Sequence, residues 1–194
     1  LLRRRAPNGP VRGGPGYTPG TTLTRPTMRT TSQLCTYMLG YAAPALADLT
    51  DEHLALAPAP NAKTAGWILG HLCVSGDYVR RKCGRPPLTP REWGPKFAPG
   101  TQPSLVASEY PSMTELRSAL EAVYIDLAEI APTWSDEMLD GENPLEFSRH
   151  RFPTARGFFS HVMTSHLGYH LGQLAGWRAA AGLGKRPGAG RRPW

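Results

Sequence analysis

The sequence predicts an all-α protein organised as a four-helix bundle with long loops. Three observations predict it. Apolar residues recur every three or four positions in four separate stretches, Pro- and Gly-rich segments divide those stretches, and no convincing strand pattern is present. At 194 residues the chain suits one domain with ragged ends.

The first helix is expected over 30–49, where Leu34, Tyr37, Met38, Tyr41, Ala42, Ala45 and Leu49 share one face and Pro44 should bend or interrupt the rod. The second runs from Thr64, an N-cap hydroxyl, to Cys83, where Gly84, Pro86 and Pro87 stop it; its inner face carries Trp67, His71, Val74 and Tyr78. The third has the clearest start, because Ser112 and Glu115 form an S-x-x-E capping box directly after Pro111. Its stripe passes through Leu116, Leu120, Val123 and Leu127 to Ala131, and Pro132 ends it. The fourth begins at Thr154 and runs to about Ala181, with Gly182 as its stop and Phe158, Val162, His166, His170, Leu174 and Trp177 facing inward.

Two loops remain. The segment 84–111 holds Trp93 and Phe97, which either cover the mouth of a site or pin the loop to the bundle, with pinning slightly favoured. The segment 133–153 is read as a second loop.

The formal charge of +7 points to nucleic acid only until it is mapped along the chain. Residues 1–29 carry six arginines and no acid, and Lys185, Arg186, Arg191 and Arg192 crowd the other end. Between 30 and 182 the balance is 12 basic against 15 acidic residues, so the bundle itself is slightly acidic. The Pro- and Gly-rich ends bury too little apolar surface to offset their ordering entropy, so 1–27 and 184–194 are expected to be disordered basic tails around a bundle domain at 28–183. No signal-peptide pattern and no apolar run of the ~20 residues a spanning helix needs is visible, and the expectation is a cytoplasmic protein with no membrane partner. Cys35, Cys73 and Cys83 make an odd set without C-x-x-C spacing, which argues against a disulfide framework or a thiolate zinc site.

The histidines carry the chemistry. His166 and His170 are four apart, which stacks two imidazoles on one helix face. An H-x-x-x-H pair by itself is more often solvated or structural than metal-bound. His71 changes the weighing, because it sits on the apolar face of another helix in W-I-L-G-H-L, and three histidines converging on one interior are costly without a shared partner. One divalent metal ion supplies that partner. His161 precedes His166 by five, about 140° away on a regular helix, which makes it a core or supporting histidine rather than a third ligand. His53 and His150 fall in loops and receive no role, and Cys73 turns away from the site. Gln173, one turn beyond His170, either orients a ligand or packs the helix. Tyr78 is a candidate to line the pocket and Trp67 either lines it or supports the ligands from behind, while Asp77 reads as a solvated charge and Arg178 as a cation at the end of the last helix.

The runs Asn61 to Leu72 (NAKTAGWILGHL), Arg151 to Thr154 (RFPT) and Ser165 to Leu183 (SHLGYHLGQLAGWRAAAGL) resemble the DinB-like superfamily of metal-binding four-helix bundles, which is also similar to the bacillithiol and mycothiol transferases. The resemblance spans about Thr30 to Leu183, and H-x-x-x-H-x-G-Q-L is its most specific element. It implies an up-down-down-up bundle, with His71 from the second helix and His166 and His170 from the last as ligands. It also implies pairing into a homodimer.

Three imidazoles suit zinc or nickel first, with iron or copper next, and they leave the ion its full charge and open positions. Three functions follow in order. The first is a metal-dependent thiol S-transferase or hydrolase acting on a small electrophilic molecule with a low-molecular-weight thiol or water. The second is a non-catalytic metal-binding protein for stress response or storage. Nucleic-acid binding through the basic tails comes last.

Overall fold

Four long helical stretches break at the Pro and Gly positions marked above. The computed structural model describes residues 28–184. The expected tail 1–27, and all of the expected tail 184–194 except Gly184, lie outside the described residues.

Helix α1 is Met28–Leu46 and retains Pro44 in its last turn, ending two residues later rather than kinking midway. Helix α2, Ala65–Lys82, opens on Thr64, whose hydroxyl accepts from the Trp67 N–H at 3.2 Å. It closes at Cys83, and Gly84 follows with φ of 78°, the left-handed turn that glycine tolerates. A short helix, α3, spans Trp93–Phe97 inside the first long loop. Helix α4 is Met113–Ile130, and both bonds of its capping box form: Ser112 Oγ accepts from the Glu115 N–H at 3.2 Å, and Glu115 Oε2 accepts from the Ser112 N–H at 2.8 Å. A second short helix, α5, spans Asp136–Asp140. The last rod is α6, Ala155–His161, then a π-helical segment Val162–His166, then α7, Leu167–Ala180.

Contacts between the rods fix their directions. Ser32 and Cys35 donate to the carbonyls of Ala128 and Tyr124, so α1 and α4 run antiparallel. Cys73 donates to Leu116 O while Arg80 pairs with Asp126, which makes α2 and α4 parallel. Thr31 meets Ser160, and Arg178 donates to Ala45 O, so the last rod parallels α1. Tyr78 meets Phe158 and His71 meets His166, so it opposes α2. The order is up-down-down-up, as the resemblance implies.

Leu69, Leu72, Leu116, Leu120, Phe159 and Leu174 meet in the interior between these rods. Each such buried side chain contributes about 1.5 to 3 kcal/mol relative to exposure. Cys35 and Cys73 are free thiols within this core. No helix among the described residues is long and apolar enough to cross a membrane.

Two charged residues sit differently from the expectation. Asp77 is 1% exposed rather than solvated. It accepts from Arg80 Nη1 at 2.8 Å, the Leu88 N–H at 3.0 Å and Thr89 Oγ1 at 2.8 Å, and so ties the loop after α2 to that helix. A buried carboxylate is tolerated here because these donors satisfy its oxygens. Arg178 is also buried, and its guanidinium reaches Asp48 at 2.6 and 2.8 Å and the Ala45 carbonyl at 3.1 Å, locking α7 to the end of α1.

Candidate metal centre

His71 points from α2 toward the last rod, where His166 closes the π-helical segment and His170 lies in the first turn of α7. Each of the three offers one ring nitrogen, and these nitrogens lie within 4.8 Å of one another. The His71 and His166 Nε2 atoms are 3.1 Å apart.

The protein assigns the tautomers. A carbonyl oxygen can only accept, so His71 Nδ1–H donates to Phe97 O at 2.7 Å and its Nε2 is left with a lone pair. Gln173 works the same way on the next ring. Its amide donates to the Tyr169 hydroxyl at 3.2 Å, which turns Oε1 toward His170 Nδ1 at 2.7 Å. His166 has no such support among the described residues, where its buried Nδ1 finds no hydrogen-bond partner. The Trp67 ring stacks on His71 at 4.8 Å with 8° between planes, while Trp67 Nε1 donates to Thr101 Oγ1 at 2.9 Å. The indole thereby fixes the His71 ring plane.

Burial holds all three imidazoles neutral. It lowers the pKa of His166 to about 3, with the neighbouring His170 and His71 adding to the effect, and that of His170 to about 4. For His71 burial again lowers the value, against the opposing pull of the Phe97 carbonyl. Neutral rings are the form that binds metal.

This donor set fits a divalent cation. Two nitrogens each about 2.0 to 2.1 Å from one ion sit roughly 3 Å apart, which the His71 and His166 separation of 3.1 Å meets. Backing of a ligating imidazole by a carbonyl at its other nitrogen is how such ligands are held. The cluster could therefore hold a metal ion.

A cavity of about 300 Å³ opens beside His71 and His166, walled by Phe152, Phe158, Leu145 and Val162. His161 lines it too. On a regular helix that ring would turn away, but the wider π turn between His161 and His166 brings the two ring centroids to 5.5 Å. His161 Nδ1 lies 2.7 Å from Ser165 Oγ, and its ring stacks on Phe152 at 4.5 Å.

Tyr78 is not among the lining residues. Its hydroxyl donates instead to the Pro144 carbonyl at 3.0 Å and anchors the loop that forms the outer wall. That loop is a built structure around buried Asn143, whose amide donates to Ser148 Oγ at 2.8 Å and Phe152 O at 2.9 Å and whose Oδ1 accepts from the Leu145 N–H at 2.9 Å. It carries His150 and Arg151 to the cavity, two residues to which the sequence reading gives no role in the site. No periodicity marks them; only the run of His150, Arg151 and Phe152 hints at a shared surface. Trp93 and Phe97 are buried and pin their loop, as favoured from the sequence, while the Phe97 backbone takes on the task of orienting His71.

The fold and site define a class: an up-down-down-up helical bundle with a histidine cluster shared between its second and last long helices. The family model of the DinB superfamily matches residues 38–174, and the chain belongs to that superfamily. Comparison with curated proteins and with solved structures gave no match.

Proposed function

We propose that this chain is a metal-dependent enzyme in which His71, His166 and His170 hold one divalent ion and the adjoining cavity receives a small electrophilic substrate. The observation that carries the reading is the pairing of a neutral histidine cluster, two of whose tautomers are fixed, with an open cavity of about 300 Å³ on one side of it. A closed structural site has no use for that space.

A divalent ion held by neutral imidazoles supplies Lewis acidity, which brings a neighbouring water or thiol toward deprotonation near neutral pH. The chain supplies the rest. Phe97 O and Gln173 Oε1 keep the Nδ1 protons of His71 and His170, so both Nε2 lone pairs serve the centre. Phe152, Phe158 and Val162 give the cavity an apolar wall. Ser165 Oγ holds one nitrogen of His161, leaving Nε2 as the ring atom that takes the proton of the incoming nucleophile.

The nucleophile comes from outside the chain. Among the described residues no cysteine lines the cavity, Cys35 and Cys73 are buried, and burial pushes the Cys35 and Cys83 thiols up to about 12. A low-molecular-weight thiol or water is therefore the second reactant. In transfer, the sulfur–carbon bond forms as the leaving group departs with its electron pair and the thiol proton passes to base. In hydrolysis, water delivers hydroxyl to the electrophilic carbon and a proton to the leaving group.

The test compares zinc-loaded, nickel-loaded and chelated protein with His170→Ala, using small thiols with 1-chloro-2,4-dinitrobenzene for transfer and p-nitrophenyl acetate for hydrolysis. Turnover that requires metal and falls at least about 100-fold in His170→Ala is expected. A metal-loaded chain that is inert in both assays contradicts the enzymatic reading and leaves metal binding alone.

A further inference from the structure

We infer that the cavity selects a small anionic substrate with an apolar body, its negative group held by the guanidinium of Arg151. The inference rests on the proposed function only in that it concerns the same cavity.

The charges around the cavity are one-sided. Among the described residues that line it there is no Asp or Glu, and Arg151 is the one fixed cation. With the lining imidazoles neutral, the Arg151 charge meets no lining carboxylate that would offset it.

Arg151 is also uncommitted. Its neighbour Arg149 spends its guanidinium on Asn143 O at 2.9 Å and Glu142 Oε1 at 3.1 Å, holding the loop together. Arg156 is likewise engaged, with Asp136 and Asp140. Arg80, Arg85 and Arg178 all pair with aspartates. Arg151 forms no ion pair or side-chain hydrogen bond with any described residue, although its backbone is fixed by an N–H donated to Ser148 O at 3.0 Å. The loop thus places a free planar cation at the rim on a backbone held by buried Asn143. A guanidinium in such a place binds carboxylate or phosphate through paired N–H donors.

The rest of the wall sets the body of the ligand. Phe147, Phe152, Phe158, Leu145 and Val162 give apolar and aromatic surface between the rim and the histidines. Phe147 is 63% exposed, a large apolar side chain held out beside the opening where a bound ligand would cover it. The volume of about 300 Å³ suits a molecule of one ring with a short charged arm.

The experiment is isothermal titration at low salt of the full chain, zinc-loaded and chelated, with 3-phenylpropanoate and its neutral amide as probes. The expected result is that the carboxylate binds the parent at least about tenfold more tightly than the amide. Arg151→Gln should remove that preference with metal content unchanged, and Arg151→Lys should keep part of it. Equal affinities in the parent overturn the inference. So does a preference that survives Arg151→Gln, including one that disappears only on chelation, because the anion would then be bound by the metal. The two readings fail separately: a metal-free parent that still prefers the carboxylate through Arg151 refutes the metal centre alone, and a metal-loaded parent without preference refutes the anion clamp alone.

Discussion

The Nδ1–H of His71 donates to the carbonyl of Phe97 at 2.7 Å, tying a ring on α2 to a five-residue helix in the loop that follows it. That bond sets the tautomer and, together with the stacked Trp67 ring, the orientation of His71. The centre depends on residues that never touch the metal position.

Gln173 gives the cleanest test of that dependence. Its Oε1 is the acceptor that fixes His170, and it is itself fixed by the Tyr169 hydroxyl. Gln173→Leu should weaken metal affinity about 10- to 100-fold, and Gln173→Glu, which keeps an acceptor, should recover most of it. Competition against a chromophoric chelator measures both. Unchanged affinity in the leucine variant would show that Gln173 only packs the helix.

Gly70 tests the Phe97 side. A Cβ on Gly70 would fall 2.6 Å from atoms of the Phe97 ring, so α3 rests directly on α2 at this position. Gly70→Ala should displace Phe97, cost about 1 to 3 kcal/mol by urea denaturation, and loosen metal binding by detaching the His71 acceptor. A variant of parental stability and affinity would mean that the loop adapts without moving the carbonyl.

The thiols predict a pH dependence with a definite sign. Burial pushes Cys35 and Cys83 up to about 12 and Cys73 higher still, from an ordinary value of 9.0. The native chain therefore holds thiol protons that the unfolded chain releases above about pH 8.5. Stability from these groups is fully present below that pH and is lost as pH rises toward the folded values. Chemical denaturation at pH 7.5 and 9.5 should show the loss. Ellman's reagent should find the core thiols Cys35 and Cys73 silent in native protein at pH 8, and all three reactive in denaturant.

Much of this fold was legible in the sequence because its long helices are marked by local rules. Thr64, the Ser112 and Glu115 box, and the stops at Gly84 and Gly182 act within one turn of chain, so spacing reveals them. The histidine cluster was legible because His71 lies on an apolar face, where an unpartnered imidazole is costly. What spacing cannot show is geometry that departs from the regular helix or depends on distant chain. The π turn at Val162–His166 leaves no mark in the apolar pattern, so spacing alone left open whether His161 lines the cavity or only supports it. Asp77 looks like any solvated helix charge until the loop carrying Leu88 and Thr89 folds back onto it. Arg151 and His150 reach the cavity only through a loop organised by Asn143, a contact that no periodicity announces.

Metal content decides the central claim. The measurement is elemental mass spectrometry of protein purified without a nickel column, comparing the parent with His71→Ala and His170→Ala. The account predicts about one equivalent of divalent metal per parent chain and its loss from both variants. A parent that is metal-free and cannot be loaded with zinc or nickel, or variants that keep the metal, would contradict it.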